Sequence, residues 1–473
     1  MNVLLALILT TGGLSAQDFP AQAEAILSIR PFDGAQVGAL FVSVADGATV
    51  YSRNPDLPLL PASTAKLATS AAALERLKPD FRFTTTLLIN KKDQGRRRLS
   101  ALVWRGTGDP SISGRNRSDL HEIFNIWADS LAALGVSKVE RLVLDGRYFE
   151  GPATVPVWPE GESAYWYEAE TSAISFNDNC VNLTFNPAAK PGRKPQILPA
   201  PDFGYIKIRN RAVTGATGSA FTLDYRRKPG TNSVEFFGSI PVGPTRHDYV
   251  SVNEPARFAA ETLKRIWKRK GIKVSRIVSW EKSGLSEGRL SPLLAWQSGP
   301  LEDLIKIINK NSQNFYAEQL LKTLGKETAG HGSFTGGLGV VGRFLAEAGL
   351  TEAQFHLVDG SGLSEEDRFT AAGLVRVLRY MHGTPLFSTY YESLAIPGID
   401  GAAKDRMKGD ALAAGMRLKS GTVGHARNLA GYLKSSSGRL YAFAVLVNGA
   451  DLDRHAVSDA LDRLCLAAAH SLP

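Results

Sequence analysis

Two cysteines in 473 residues, Cys180 and Cys465, leave no material for a disulfide scaffold. They lie far apart in the chain and are expected in different domains, as buried free thiols. No Cys/His spacing suits a metal site. The eight His are scattered, and none comes with the nearby Asp and GxSxG elbow of a Ser-His-Asp hydrolase. Beyond the first residues, no apolar run approaches the length that spans a bilayer. No Cys follows the first apolar run, which excludes a lipoprotein anchor. Internal repeats are absent, and a composition of 44% hydrophobic and 21% charged residues excludes a disordered chain.

What is present exceeds one ordinary domain and suggests two or three. Residues Met1 to Ala16 read as a secretory signal, with an apolar run from Val3 to Leu9 and a small-residue region ending at Ala16. The net charge of +9 would suit an anionic partner such as a cell-wall polymer, a membrane surface or nucleic acid. Lys and Arg are nonetheless scattered. The one dense cluster, Lys91-Lys92 and Arg96-Arg97-Arg98, flanks Asp93-Gln94-Gly95 between two strand-like runs, and reads as a solvated hairpin tip rather than a nucleic-acid patch.

In chain order, a helix is expected over Gln17 to Ile29. A hairpin follows around Asp46-Gly47, and then an Ala- and Leu-rich helix after Lys66. Strands are expected at Phe83 to Asn90, Leu99 to Trp104 and Arg141 to Leu144, with a helix at Leu120 to Leu134. A long aromatic loop runs from Tyr148 through Trp158 to Tyr167, and such loops usually have a function. Pro187 to Thr245 reads as a small β-rich module. A helix at Pro255 to Lys270 and a strand at Ile272 to Trp280 come next, with helical character returning near Pro292.

Three short patterns carry chemistry. Ser63-Thr64-Ala65-Lys66 is an SxxK pair at a helix start, where residues three apart share a face. There the amine can take the hydroxyl proton and leave a nucleophile. The plain alternative is that Ser63 caps the helix. A second SxxK, Ser279 to Lys282, follows an extended run and is broken by Ser283-Gly284, so it reads as chance. Ser312-Gln313-Asn314 falls at a break between two helices, where a hydroxyl can pass a proton and an amide can position Lys and substrate. Ser175-Phe176-Asn177 and Ser251-Val252-Asn253 match the same pattern without that context. Lys419-Ser420-Gly421-Thr422 ends a strand. Its ammonium and hydroxyls suit a carboxylate, and Gly421 would let a peptide lie close to the backbone. Lys282-Ser283-Gly284 is a decoy of that form. Gly337 to Gly342 matches GxGxxG but follows no strand, and reads as a loop feeding a helix from Arg343 to Ala348.

The order SxxK, SxN, KSG resembles the active-site serine penicillin-recognising enzymes. The interval of roughly 250 residues between the first two exceeds a compact domain, and is similar to the class C low-molecular-mass penicillin-binding proteins, the D-alanyl-D-alanine carboxypeptidase/endopeptidase family. Gly106-Thr107-Gly108-Asp109-Pro110, Asp359-Gly360-Ser361-Gly362-Leu363-Ser364 and Asn428-Leu429-Ala430-Gly431 look like further family stretches.

The resemblance implies an α/β (α+β) transpeptidase-like fold, shared with serine β-lactamases. An antiparallel sheet is flanked by helices, and an all-helical subdomain and a large β-rich insertion complete it. A discontinuous catalytic domain is expected over 17–80 and 290–473, an inserted domain over 81–186 and 247–289, and a nested module over 187–246. Ser63 would be acylated, with Lys66 activating it. Ser312 and Asn314 would complete the proton path, and Lys419 with Ser420, Gly421 and Thr422 would bind the terminal carboxylate. The backbone N–H groups of Ser63 and Thr422 would form the oxyanion hole. Trp158 and Glu162, with Glu160 as second choice, would face the free end of the peptidoglycan side chain. Glu365 stands where the family commonly has Arg, and Arg368 is the candidate to compensate. The implied partners are peptidoglycan stem peptides and β-lactams as covalent inhibitors, without nucleic acid, cofactor, metal or transmembrane anchor. The implied place is the periplasm or cell-wall side. A β-lactamase or esterase on the same fold, and a non-catalytic wall-binding protein, are the rival readings.

Overall fold

Both ends of the chain contribute to one five-stranded antiparallel sheet. Its strands run in the order Arg417–Val423, Ala426–Lys434, Leu440–Asn448, Gln36–Ser43 and Thr49–Arg53. The computed structural model describes residues 18–115, 117, 119–158, 164–449 and 453–473. The two strands from Ala426 and Leu440 are buried almost without alternation, because both sheet faces are covered. Helices Phe19–Leu27 and Arg454–Ser471 pack on one face through Phe19, Leu461 and Leu464. Helix Ala371–His382 lies on the other.

Helix Lys66–Leu77 is buried on every side from Lys66 to Leu74, and its alanines let neighbours approach closely. Around it pack helices Leu301–Lys310, Asn314–Ala329, Phe334–Glu347 and Ala371–His382. Buried on all sides, it forms the centre of the helical subdomain, with Lys66, Thr69 and Ser70 as its buried polar groups.

The insertion has a mixed sheet. Lys273–Ser279, Lys138–Asp145 and Leu102–Arg105 are parallel neighbours, followed by antiparallel Thr84–Asn90 and Leu290–Gln297. Helices Glu122–Ala133 and Pro255–Arg269 cover it with Phe124, Trp127 and Trp267, and Trp104 meets Phe124 and Trp127 edge-on. The expected helix near Pro292 is instead the edge strand Leu290–Gln297, so residues 290–297 go with the inserted sheet and the next helix starts at Leu301. Pro292 is tolerated because its missing N–H falls on an edge strand, where the register shifts.

Strand Cys180–Asn186 pairs with Gln196–Ala200 and Arg246–Ser251. A three-stranded sheet of Asp224–Arg227, Ser233–Phe237 and Lys207–Asn210 adds to it. Val234, Phe236 and Tyr225 join the insertion's core, so the nested module has no separate one. The Gly337 to Gly342 run lies inside helix Phe334–Glu347 and not in a loop. A Cβ at Gly337 would run into the Leu321 carbonyl of the neighbouring helix, so the glycine serves close helix packing. Cys180 and Cys465 are free, buried and in separate cores. Among the described residues, no helix is long and apolar enough to cross a membrane.

Candidate active site

Ser63 stands in the 3₁₀ turn Ala62–Ala65, which runs directly into helix Lys66–Leu77. The turn is held from three sides. The Asn428 amide donates to the Leu60 and Pro61 carbonyls at 2.9 and 2.7 Å, and Asn448 Oδ1 accepts from the Leu60 N–H at 2.7 Å. Gly421 lies against Pro61, where a Cβ would come within 2.7 Å of the carbonyl oxygen. The close approach that requires glycine in the KSG strand is therefore to the nucleophile's own turn. Gly362 at φ 76° meets the Ala62 carbonyl, where no side chain fits. Ala62 takes a positive φ of 47°, a strained conformation just before the nucleophile.

Lys66 Nζ is fully buried and has three oxygen neighbours. It lies 2.9 Å from Ser63 Oγ, 2.6 Å from Asn314 Oδ1 and 2.7 Å from the Ser361 carbonyl. The amide and carbonyl oxygens can only accept, so they take two amine hydrogens. In the neutral amine the remaining lone pair faces Ser63 Oγ, which is the geometry of a base. Burial brings the Lys66 pKa down to about 8, while the carboxyls of Asp359, Glu318 and Asp367 oppose that shift.

Those three acids form a buried cluster behind the amine. Asp359 accepts from the backbone N–H groups of Ser361, Gly362, Leu363 and Ser364, and so curls the DGSGLS stretch until the Ser361 carbonyl meets Lys66. Glu318, one helical turn past Asn314, accepts from Gly360 N–H at 3.0 Å. Burial and the neighbouring Asp359 push its carboxyl up. Asp367 is likewise raised, by burial first and Asp359 second. Glu318 and Asp367 were not among the residues singled out from the sequence. The available signal for Glu318 was its i+4 spacing from Asn314.

Ser312 ends helix Leu301–Lys310 at φ 57°, a left-handed residue that turns the chain into helix Asn314–Ala329. Lys419 Nζ donates to Ser312 Oγ at 2.9 Å and to the Ser420 carbonyl at 2.8 Å. Its pKa falls well below the usual lysine value through burial, with the Lys66 charge adding to the effect. The fold thus brings Ser63, Lys66, Ser312, Asn314 and Lys419 together. The two amines are buried and the two hydroxyls partly open. Ser420 is half-buried and Thr422 exposed at the end of the same strand.

The insertion reaches this site. Asn314 Nδ2 donates to the Tyr167 carbonyl at 3.1 Å, Gln313 to Asp178 at 2.8 Å, and Gln319 to the carbonyls of Gly108 and Ser172. Trp158 is buried with its indole N–H on Asp359 Oδ2, and borders a cavity of about 470 Å³ lined also by Glu168, Glu170 and Arg227. Glu160 and Glu162 lie outside the described residues, as does the segment Met1 to Ala16. Glu365 is exposed beside Gly424 in the turn after the KSG strand, and the Arg368 guanidinium donates to the carbonyls of Glu365 and Asp367. The decoys are elsewhere. Lys282 is exposed on the insertion, Asn177 bonds to Cys180 and Asn182, and Ser251 to Arg227.

Residues 21–470 match the model of the D-Ala-D-Ala carboxypeptidase 3 (S13) family. The chain belongs to that family. It is 33% identical over 439 residues to a D-alanyl-D-alanine carboxypeptidase of Actinomadura sp., covering 90% of this chain and 80% of that one. A D-alanyl-D-alanine carboxypeptidase of Haemophilus influenzae is 25% identical over 438 residues, covering 88% and 86%. The crystal structure of penicillin binding protein 4 from Haemophilus influenzae superposes with a TM-score of 0.80 at 22% identity, over 93% of this chain and 98% of that one. The fold is thus the penicillin-binding-protein type, and S13 membership makes the chain a serine peptidase, a hydrolase.

Proposed function

We propose that Ser63 is the acylated nucleophile of a DD-peptidase acting on peptidoglycan stem peptides. The observation that carries this is the coordination of Lys66. Two acceptor-only oxygens occupy its hydrogens and aim its lone pair at Ser63 Oγ. Ser63 Oγ bonds to the carbonyl carbon of the penultimate D-alanine as its proton passes to Lys66. The C–N bond breaks, and the leaving amine takes a proton through Ser312, whose hydroxyl is held by Lys419. Water then hydrolyses the acyl-enzyme. The Ser63 and Thr422 backbone N–H groups stabilise the oxyanion, and Ser420 and Thr422 receive the terminal carboxylate with the Lys419 amine behind them.

The same route serves D-Ala-D-Ala termini and D-centred cross-links, and β-lactams enter it as covalent inhibitors. In this reading the acidic residue after Trp158, Glu162 or Glu160, recognises the side-chain end of the stem peptide, with Trp158 among the substrate-binding residues. The protein is exported by the Met1 to Ala16 leader to the periplasm or cell-wall side. The domain plan is a catalytic domain split by an insertion, with 187–246 nested in it.

Incubation with a fluorescent penicillin, followed by intact-mass and peptide mapping, tests the reading. One adduct on Ser63, absent in Ser63→Ala, is expected. A folded protein without an adduct overturns the reading, and rapid loss of the label favours a β-lactamase.

A further inference from the structure

Although Lys and Arg are spread along the chain, most of the net charge falls in one segment. Residues 187–246 hold ten Lys or Arg and three Asp or Glu, a net +7 against +9 for the whole chain. The three-stranded sheet of this module has an inner and an outer face. Val234, Phe236 and Tyr225 point into the insertion's core. On the outer face, by alternation and register, stand Lys207 and Arg209, Arg226, and Glu235 with Phe237. Arg209, Arg211 and Arg226 all converge on the single carboxylate of Glu235, at 3.3, 2.8 and 2.9 Å. Each of these arginines remains more than half exposed, so one carboxylate leaves most of their charge unneutralised. Lys228 joins Arg209 and Arg226 around a cavity of about 260 Å³.

Apolar side chains accompany the charge. Among the described residues, large hydrophobic side chains stand exposed at eight positions. Four of these, Leu198, Val213, Phe221 and Phe237, belong to this module. The Arg226 guanidinium lies over the Phe237 ring and Arg246 over Phe221. A basic sheet face with the partly exposed Phe237 ring among its arginines matches a lipid interface, where phosphates meet the cations and an apolar tip enters the headgroup boundary. A polyanion without an apolar phase would leave the exposed part of Phe237 unused. We infer that the outer face of the 187–246 module docks on an anionic phospholipid surface, with Arg209, Arg211 and Arg226 engaging headgroup phosphates and Phe237 entering the interface.

Co-sedimentation of the full chain with vesicles of pure phosphatidylcholine, and of phosphatidylcholine with phosphatidylglycerol, tests this. The protein is expected to pellet with the anionic vesicles only, and to be released by salt. R209Q/R211Q/R226Q abolishes pelleting, R209K/R211K/R226K retains it, and Phe237→Ser weakens it several-fold. Circular-dichroism melts matching the parent show that the variants are folded. Equal binding to neutral vesicles, no binding to either, or pelleting unchanged in the Gln triple variant overturns the inference. So does retention on heparin or duplex DNA without vesicle binding, which would assign the face to a soluble polyanion.

Discussion

The indole N–H of Trp158 donates to Asp359 Oδ2 at 2.9 Å, across 201 residues of sequence. The contact joins the aromatic loop of the insertion to the carboxylate that shapes the DGSGLS stretch, and so to the Ser361 carbonyl on Lys66. Trp158→Phe leaves Asp359 its four backbone donors but removes the fifth. A loss of about 1–3 kcal/mol in unfolding free energy is expected, read from denaturant midpoints. Penicillin acylation should slow as the loop loosens. Unchanged stability and acylation would mean that the bond is incidental.

Lys66→Ala removes the base, and acylation by a fluorescent penicillin should fall by about 10²- to 10⁴-fold. Lys282→Ala, in the decoy motif, should leave the rate within error. Stopped-flow labelling of both variants decides between the two SxxK pairs.

Acylation should depend on pH in one direction. Only the neutral Lys66 amine accepts the Ser63 proton, and burial places its pKa at about 8. The rate constant should therefore climb about tenfold per pH unit below that value and level off above it. A rate flat from pH 6 to 9 would exclude Lys66 as the titrating base.

Glu318→Gln tests the acid cluster. Where the Glu318 carboxyl, itself pushed up to about 8, is ionised it favours protonated Lys66, so its removal lowers the lysine pKa and moves the upper part of the rising limb of the pH profile to lower pH. A shift to higher pH would contradict the placement of this carboxyl behind the amine. The thermal melt of the variant, followed in parallel, separates this effect from unfolding.

Gly421→Ala places a methyl 2.7 Å from the Pro61 carbonyl. Overpacking of this kind costs about 1–3 kcal/mol, and here it pushes the KSG strand away from the Ser63 turn. Acylation should drop far more than stability does, as measured by labelling rate against the melting temperature.

Much of this site was legible in the sequence because its members sit at local structural transitions. Ser63 heads an Ala- and Leu-rich helix, Ser312 falls where one apolar stripe breaks before the next, and Lys419 ends a strand. Each position differs from its decoys in local context alone. The cluster of Glu318, Asp359 and Asp367 was not legible as a unit, since only the fold brings the loop that carries Asp359 and Asp367 against the helix that carries Glu318, behind one amine. Leu290–Gln297 misled because Pro292 and the following apolar residues carry no clear period of two, and pairing with Thr84–Asn90 decides the conformation. The glycines after Phe334 resemble a loop by composition. They lie within a helix instead, and Gly337 packs against the Leu321 carbonyl of its neighbour. The concentration of charge in 187–246 was hidden by its spacing along the chain, as the arginines gather only when three strands align.

The five-stranded sheet also sets an order of events. Lys419 reaches the site on a strand that pairs with Ala426–Lys434, which pairs with Leu440–Asn448, which docks beside Gln36–Ser43. The nucleophile and its base are made early, but the sheet that presents the second lysine stays open until residue 448 is in place. A nascent or truncated chain carries Ser63 and Lys66 without the strand that pins their turn. The site therefore needs every segment from Gln36 to Asn448, and its nucleophile and second lysine meet only through strands far apart in the chain.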